Sequence, residues 1–418
     1  MFIIYQILLI IGIIIACPYL LLRAIFGGHG VKERLGIWNF VPDNRKTVWF
    51  HAASMGEQKI ISTILPELIK LAPDMRIIIT TITKTGKAKA EKMPFNIEAF
   101  YLPADLVFIV NRVIKKMKPS LFILVETELW PALIKQMHKS GAKIALVNGR
   151  ISNKSFRYYK FLIPLSSNML RDIDYIITQT DNDSERFLKL GAAPANVAVY
   201  GNAKFDQVLL TNPKPPDKVI TDFLTIGKPF VFIAGSVRAG EIKIIVKTAG
   251  NISNQIAKYR IVIAPRHMKD LNNLETAMQM ASLSYIKRSK FTSQSFKDKS
   301  ILILDTMGEL GGLYRFTDLA FIGGSLVKIG GHDPLEPASS GCAVCFGPYM
   351  DNSRLFADIL IDSGGAEYVK NSAELTKLIL KFAADKTLTK AAGEKAKQAV
   401  ISHIGVSKKI ADKLTDLL

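Results

Sequence analysis

Three carboxylates near the start of this 418-residue chain, Glu57, Glu126 and Glu128, stand where chemistry is easier to explain than packing. Glu57 closes the segment His51-Ala-Ala-Ser-Met-Gly-Glu57, behind Gly56 at a loop-to-helix start. There a carboxylate can take a proton, or it can do no more than complement the helix dipole. Glu126 ends the apolar run Leu121–Val125, where an uncompensated carboxylate is expensive to bury; that favours a functional role for it ahead of Glu128. Lys204, in Gly201-Asn-Ala-Lys-Phe-Asp206, is a cation for a ligand or a solvated surface lysine. In the second half, Arg266 follows Pro265 and can pair with a phosphate, while His267 and His332 serve equally well as core or capping residues. The stretch from Gly323 to Gly341, GGSLVKIGGHDPLEPASSG, puts glycines after an apolar run where a helix should begin. Backbone N–H groups there could cradle an anion, with His332 and Glu336 near a base or ribose. The alternative is a glycine-rich turn before a capped helix.

The elements that must carry these residues alternate β-branched runs with longer helical stretches, the pattern of parallel sheets covered on both faces. Strands are predicted near Thr47–Ala52, Ile77–Thr81, Leu121–Val125, Lys143–Val147, Tyr175–Thr178 and Ala198–Tyr200. After a proline-rich break, more follow near Phe230–Ala234, Arg260–Ala264, Ile301–Leu304, Leu319–Ile322 and Ala343–Phe346. The division expected is an anchor over 1–22, a first Rossmann-like domain over 30–206, a linker over 207–229, a second domain over 230–385 and a helical segment over 386–418 that packs outside a sheet. The unusual residues fall at the carboxyl ends of the predicted strands, where open α/β sheets bind ligands, and are expected to line one cleft with the two domains facing each other.

Composition narrows the classes. Hydrophobic residues make up 49%, which excludes a disordered chain. Phe2–Leu22 carries no charge and is long enough to cross a bilayer as a helix; Arg23, Lys32 and Arg34 follow it, which places the rest of the chain on the cytoplasmic side. The net charge of +19 then suits an anionic lipid surface. Basic residues are spread along the chain without an RRM, helix-turn-helix or finger pattern, so nucleic acid is not expected as a partner. Cys342 and Cys345 lack a second pair to complete a zinc site, Cys17 lies in the apolar tract, and disulfides are not expected.

Taken in order, HAASMGE, ETELWP, NGRIS, GNAKFD, APRH, MGEL and GGSLVKIGGHDPLEPA, behind Lys32-Glu-Arg-Leu-Gly36, resemble the 3-deoxy-D-manno-octulosonic acid (Kdo) transferases of lipopolysaccharide biosynthesis over essentially the whole chain. The resemblance implies a glycosyltransferase of the GT-B fold that moves Kdo from CMP-Kdo to the tetraacyl precursor of lipid A, with inversion, at the cytoplasmic face of the inner membrane. It implies Glu57 as proton acceptor, Glu126 and Lys204 as transition-state stabilisers, and CMP contacts at Pro265, Arg266, Met307, Gly308, Glu309, Asp333, Pro334, Leu335 and Glu336, with no metal and no cofactor. Two departures stand out: Gly235-Ser-Val-Arg-Ala-Gly-Glu241 lacks the Thr-His-Glu usual after its serine, and Asp333 stands where Asn is common. The alternatives are another GT-B nucleotide-sugar enzyme with a lipid-linked acceptor and, more remotely, a membrane-tethered dinucleotide-binding oxidoreductase, for which a G-x-G-x-x-G loop is missing.

Overall fold

Strands buried on both faces read as continuous apolar runs, and β1 (Thr47–His51) is of that kind, with all five residues buried. Its side chains alternate between two cores: Trp49 packs with Phe122 and Ile78 on one face of the sheet, Val48 and Phe50 with Ile60, Ile64 and Ile77 on the other. The remaining strands of this sheet are β2 (Arg76–Thr81), β3 (Ile97–Tyr101), β4 (Leu121–Val125), β5 (Lys143–Gly149), β6 (Tyr175–Thr178) and β7 (Val197–Val199). The computed structural model describes residues 1–25, 30–39, 44–210, 213–294 and 299–418, the side chains at 17, 19–21 and 23–25 excepted. Cys17 and Arg23 therefore lie outside the described side chains, and part of the predicted linker, Thr211 and Asn212, outside the described residues.

Among the described residues the chain forms two units, 1–210 with 403–418, and 211–402. The first holds a parallel seven-stranded sheet ordered β3-β2-β1-β4-β5-β6-β7. The second holds another, built from β8 (Phe230–Val237), β9 (Tyr259–Pro265), β10 (Tyr285–Lys287), β11 (Ile301–Ile303), β12 (Leu319–Ile322), β13 (Ala343–Phe346) and β14 (Ala366–Tyr368), in the order β10-β11-β9-β8-β12-β13-β14. Each sheet has its central switch in strand order, between β1 and β4 and between β8 and β12, and in the second sheet the edge strand β10 lies outside β11. Those two carboxyl-end openings are where such sheets bind ligands.

The predicted tail over 386–418 is two helices with different allegiances. Lys386–Ile401 belongs to the second unit, but Val406–Asp416 belongs to the first, where Val406, Ile410 and Leu414 join the core formed by Ile60 and Ile64 of helix Met55–Leu71. Asp206 fixes this return: its carboxylate accepts from the N–H groups of Gly405, at 2.6 Å, and of Ser407.

Among the described residues no helix is long and apolar enough to cross a membrane. The segment expected to span forms helix Phe2–Ile25, and its first turns are tied to the first unit. Tyr5 donates to Asp105 Oδ2 at 2.8 Å, and Gln6 exchanges hydrogen bonds with the backbone of Asp105 and Val107. Asp105 in turn accepts from the N–H groups of Ala132 and Leu133 at the start of helix Pro131–Lys139. Ile3, Ile4, Ile7, Leu8, Ile14 and Ile15 remain exposed.

Candidate functional site

Where β1 and β4 part, the first unit gathers its acids. Helix Met55–Leu71 starts at Ser54, whose hydroxyl accepts from the Glu57 N–H, while the Glu57 carboxylate reaches back to Ala53 N at 2.6 Å and Ser54 Oγ at 2.9 Å. The Ser-x-x-Glu spacing is that of a capping box, although the carboxylate takes the N–H of Ala53 rather than that of Ser54, and these bonds hold Glu57 at the strand exit. Burial, then the charges of Glu128 and Glu126, push its carboxyl up to about 7 against the lowering effect of those hydrogen bonds. A carboxyl poised near neutrality is suited to accepting a proton, which its capping bonds alone would not require.

Glu126 follows β4 with φ at +61°, a left-handed conformation that a non-glycine residue holds only where its surroundings enforce it. Its Oε1 pairs with Lys204 Nζ at 2.8 Å, both side chains about one-quarter exposed. Lys204 is placed by Asn202 Oδ1, which accepts its N–H at 2.9 Å, and by Asn148 Oδ1, which accepts from Ala203 N. Glu126 and Lys204 are thus brought together, with Glu57 within their field. Glu128 holds Trp130 Nε1 at 3.1 Å and faces His51 Nε2 at 3.5 Å. His51 is fully buried and bonded through Nδ1 to Thr80, and no hydrogen-bond partner among the described residues satisfies its Nε2. His51 is not among the residues expected from the sequence; its signal there is a histidine directly after the apolar run Val48–Phe50. Beside Glu128 opens a pocket of about 680 Å³ with mostly apolar walls, among them Tyr5, Trp130, Tyr158, Leu162 and Met169.

The second unit differs from expectation at its glycine loop. The N–H groups of Gly324, Ser325 and Leu326, expected to cradle a phosphate, are taken by the carboxylate of Glu241, at 2.7, 3.0 and 2.9 Å. Glu241 is completely buried and also accepts from Arg238 N. An internal anion fills the nest because a buried carboxylate and a row of buried N–H groups satisfy one another. Nor does a helix begin there: the chain turns until Leu335–Ser339, a single five-residue turn. What the loop offers outward is His332, whose N–H bonds to Gly323 O and whose ring lies against Gly324.

Arg266 is exposed just past β9, its N–H bonded to Val237 O. Met307 is 76% exposed, Gly308 takes φ of +85°, and Glu309 is engaged by Arg288 at 2.8 Å and by Thr306. The Glu336 carboxylate stands over Gly311, where a Cβ would lie 2.2 Å from its Oε1, so the segments around 309 and 336 meet. Asp333 caps locally, accepting from Leu335 N at 3.0 Å. Pro265, Pro334 and Leu335 are buried, which leaves their backbone as what they can present to a ligand. Cys342 and Cys345 are buried among apolar neighbours, and burial pushes both thiols up, the condition of inert packing residues.

Residues 29–207 match the family profile described as "3-Deoxy-D-manno-octulosonic-acid transferase (kdotransferase)". The chain is 30% identical over 377 residues to the 3-deoxy-D-manno-octulosonic acid transferase of Haemophilus influenzae, covering 89% of this chain and 87% of that one. It is 35% identical over 336 residues to a bifunctional glycosyltransferase/methyltransferase of Fusobacterium nucleatum, covering 79% of this chain but spanning only 52% of that relative. Among solved structures it is similar in fold to UDP-GlcNAc 2-epimerase from Neisseria meningitidis bound to UDP-GlcNAc, with a TM-score of 0.63 at 13% identity over 88% of this chain and all of that one.

Proposed function

The chain belongs to the 3-deoxy-D-manno-octulosonic acid transferase family, and from that premise we propose that it is a glycosyltransferase moving Kdo from CMP-Kdo to the tetraacyl disaccharide precursor of lipid A. The observation that carries the reading is Glu57, held at a strand exit with its carboxyl raised to about 7 beside Glu126 and Glu128. In the reaction Glu57 takes the proton of the acceptor hydroxyl as that oxygen forms its bond to the anomeric carbon of Kdo, and the bond to the CMP phosphate breaks with its electron pair leaving on CMP. Positive charge developing on the sugar ring favours nearby carboxylate, which Glu126 supplies, and Lys204 meets the carboxylate that Kdo itself carries. On the donor side Arg266 pairs with phosphate and Glu336 accepts from the ribose hydroxyls. The first unit then serves the acceptor and the second the donor, and one in-line displacement inverts the anomeric centre.

The apolar pocket beside Glu128 is suited to an acyl chain of the acceptor, and Lys154 on its rim to a phosphate of the disaccharide. Helix Phe2–Ile25, with its exposed isoleucines, and the net charge of +19 support attachment at the cytoplasmic face of the inner membrane, with Phe2–Leu22 as a single-pass anchor. Mass spectrometry of the lipid formed from purified protein, CMP-Kdo and precursor tests donor and acceptor together. Turnover with a UDP-sugar in place of CMP-Kdo moves the chain to a different GT-B activity. Resistance of the full chain to alkaline extraction from membranes, lost on removal of residues 1–22, tests the anchor.

A further inference from the structure

Arg238 sits immediately after β8, at the point where strand order reverses in the second unit, in the segment that departs from the family pattern. Its Nε donates to His332 Nε2 at 3.2 Å, and its Nη1 to His267 Nε2 at 2.7 Å. Burial, then Arg238, Arg266 and His267, hold His332 down to about 4, so it stays neutral across the physiological range and accepts through Nε2. The two rings thus fix the guanidinium's orientation without bringing a negative charge to it.

No carboxylate among the described residues pairs with the side chains of Arg238 or Arg266. The acid closest in the chain, Glu241, is saturated by the four N–H groups of Arg238, Gly324, Ser325 and Leu326. Glu241 thereby locks the turn bearing Arg238 to the loop bearing His332, as one rigid piece. A half-buried cation with three N–H groups that meet no protein acceptor among the described residues, beside a second arginine without a carboxylate partner there, is a setting that favours an anion.

Building on the donor reading above, we propose that Arg238 grips an anionic oxygen of the donor, in its phosphate or its sugar carboxylate, and that His332 and His267 are positioning residues that aim the guanidinium.

Calorimetry on the full chain in detergent, with CMP and with cytidine as probes, tests this. Arg238→Gln should weaken CMP roughly 10- to 100-fold, as expected for a lost charge-assisted contact, and leave cytidine affinity and melting temperature unaltered. Unchanged CMP affinity with a KM for CMP-Kdo raised at least about tenfold assigns the grip to the sugar carboxylate instead. If neither moves, Arg238 does not touch the donor and the inference is overturned. Should Arg238→Gln melt early, Arg238→Lys, which keeps the charge and loses the fork, carries the same readouts. His332→Leu should reproduce the loss and His332→Gln, which retains an acceptor oxygen, should restore it; a His332→Leu protein with both full CMP affinity and an unaltered KM for CMP-Kdo removes the positioning role. A wild-type chain that binds no CMP overturns the donor reading and this inference with it.

Discussion

The openings at the carboxyl ends of the two sheets share a topology and carry opposite charge. Between β1 and β4 stand three carboxylates, one of them paired with Lys204, and burial, then the charges of Glu128 and Glu126, raise Glu57 toward neutrality. Between β8 and β12, two arginines and two histidines stand together, and the fully buried acid Glu241 is turned inward onto the glycine loop. Similar parallel scaffolds therefore carry two electrostatic settings, which on the function proposed above serve to move a proton in one opening and to hold an anion in the other. The difference lies in a handful of side chains just past the strand ends, so substitutions there should separate the two tasks cleanly.

The largest effect should come from Glu57→Gln, which keeps the shape and one acceptor oxygen but cannot take a proton. Turnover should fall by about 10² to 10⁴ with CMP affinity and melting temperature preserved. Near-normal turnover would pass the role of base to Glu126, and a protein that simply melts early would reduce Glu57 to its capping bonds with Ala53 and Ser54. On the other side, Arg266→Ala should weaken CMP by roughly 10- to 100-fold while the acceptor KM holds; calorimetry decides it, and unaltered affinity breaks the division of labour.

The pH dependence sharpens the contrast further. A carboxyl raised to about 7 is increasingly protonated below that value and unable to act as a base. The acceptor-dependent kcat/KM should therefore drop about tenfold per unit as pH falls below 7, a limb absent from Glu57→Gln. Equilibrium binding of CMP should not follow that limb. A profile flat from about pH 5 to 8 would sink the assignment of Glu57. The smallest effect is expected from Asp206→Asn, which weakens two bonds to the returning helix. Loss of stability by about 1 to 3 kcal/mol, read by denaturant unfolding, with CMP affinity intact, would place the damage in the first unit alone.

How much of this could be read without coordinates follows from burial. The central strands, apolar on both faces, announced themselves within a residue or two: Leu121–Val125 and Leu319–Ile322 are found as expected. Strands β3, β10 and β14 were overlooked because they are edges: Ile97–Tyr101 includes Glu98 and is half-buried, and Tyr285–Lys287 and Ala366–Tyr368 are three residues each, too short to show a period. The acids of the first opening were legible because a carboxylate at the end of an apolar strand is conspicuous. The glycine loop was misread because its anion comes from Glu241, 83 residues before Gly324, and no local pattern reveals a partner at that separation. A separation of 94 residues likewise hides the bond from Arg238 to His332.

The return of Val406–Asp416 to the first unit has a consequence for how the molecule is made. Synthesis runs from the amino end, and a domain whose residues are contiguous can finish folding while the rest is still emerging. Here helix Met55–Leu71 waits with Ile60 and Ile64 partly uncovered until the ribosome has delivered Val406–Asp416. The second unit, although it begins later in the chain, is complete before the first. A nascent chain interrupted anywhere before Val406 therefore exposes an unfinished apolar surface on the unit bearing Glu57, a mark by which quality control could tell chains that stop short of this helix from those that include it.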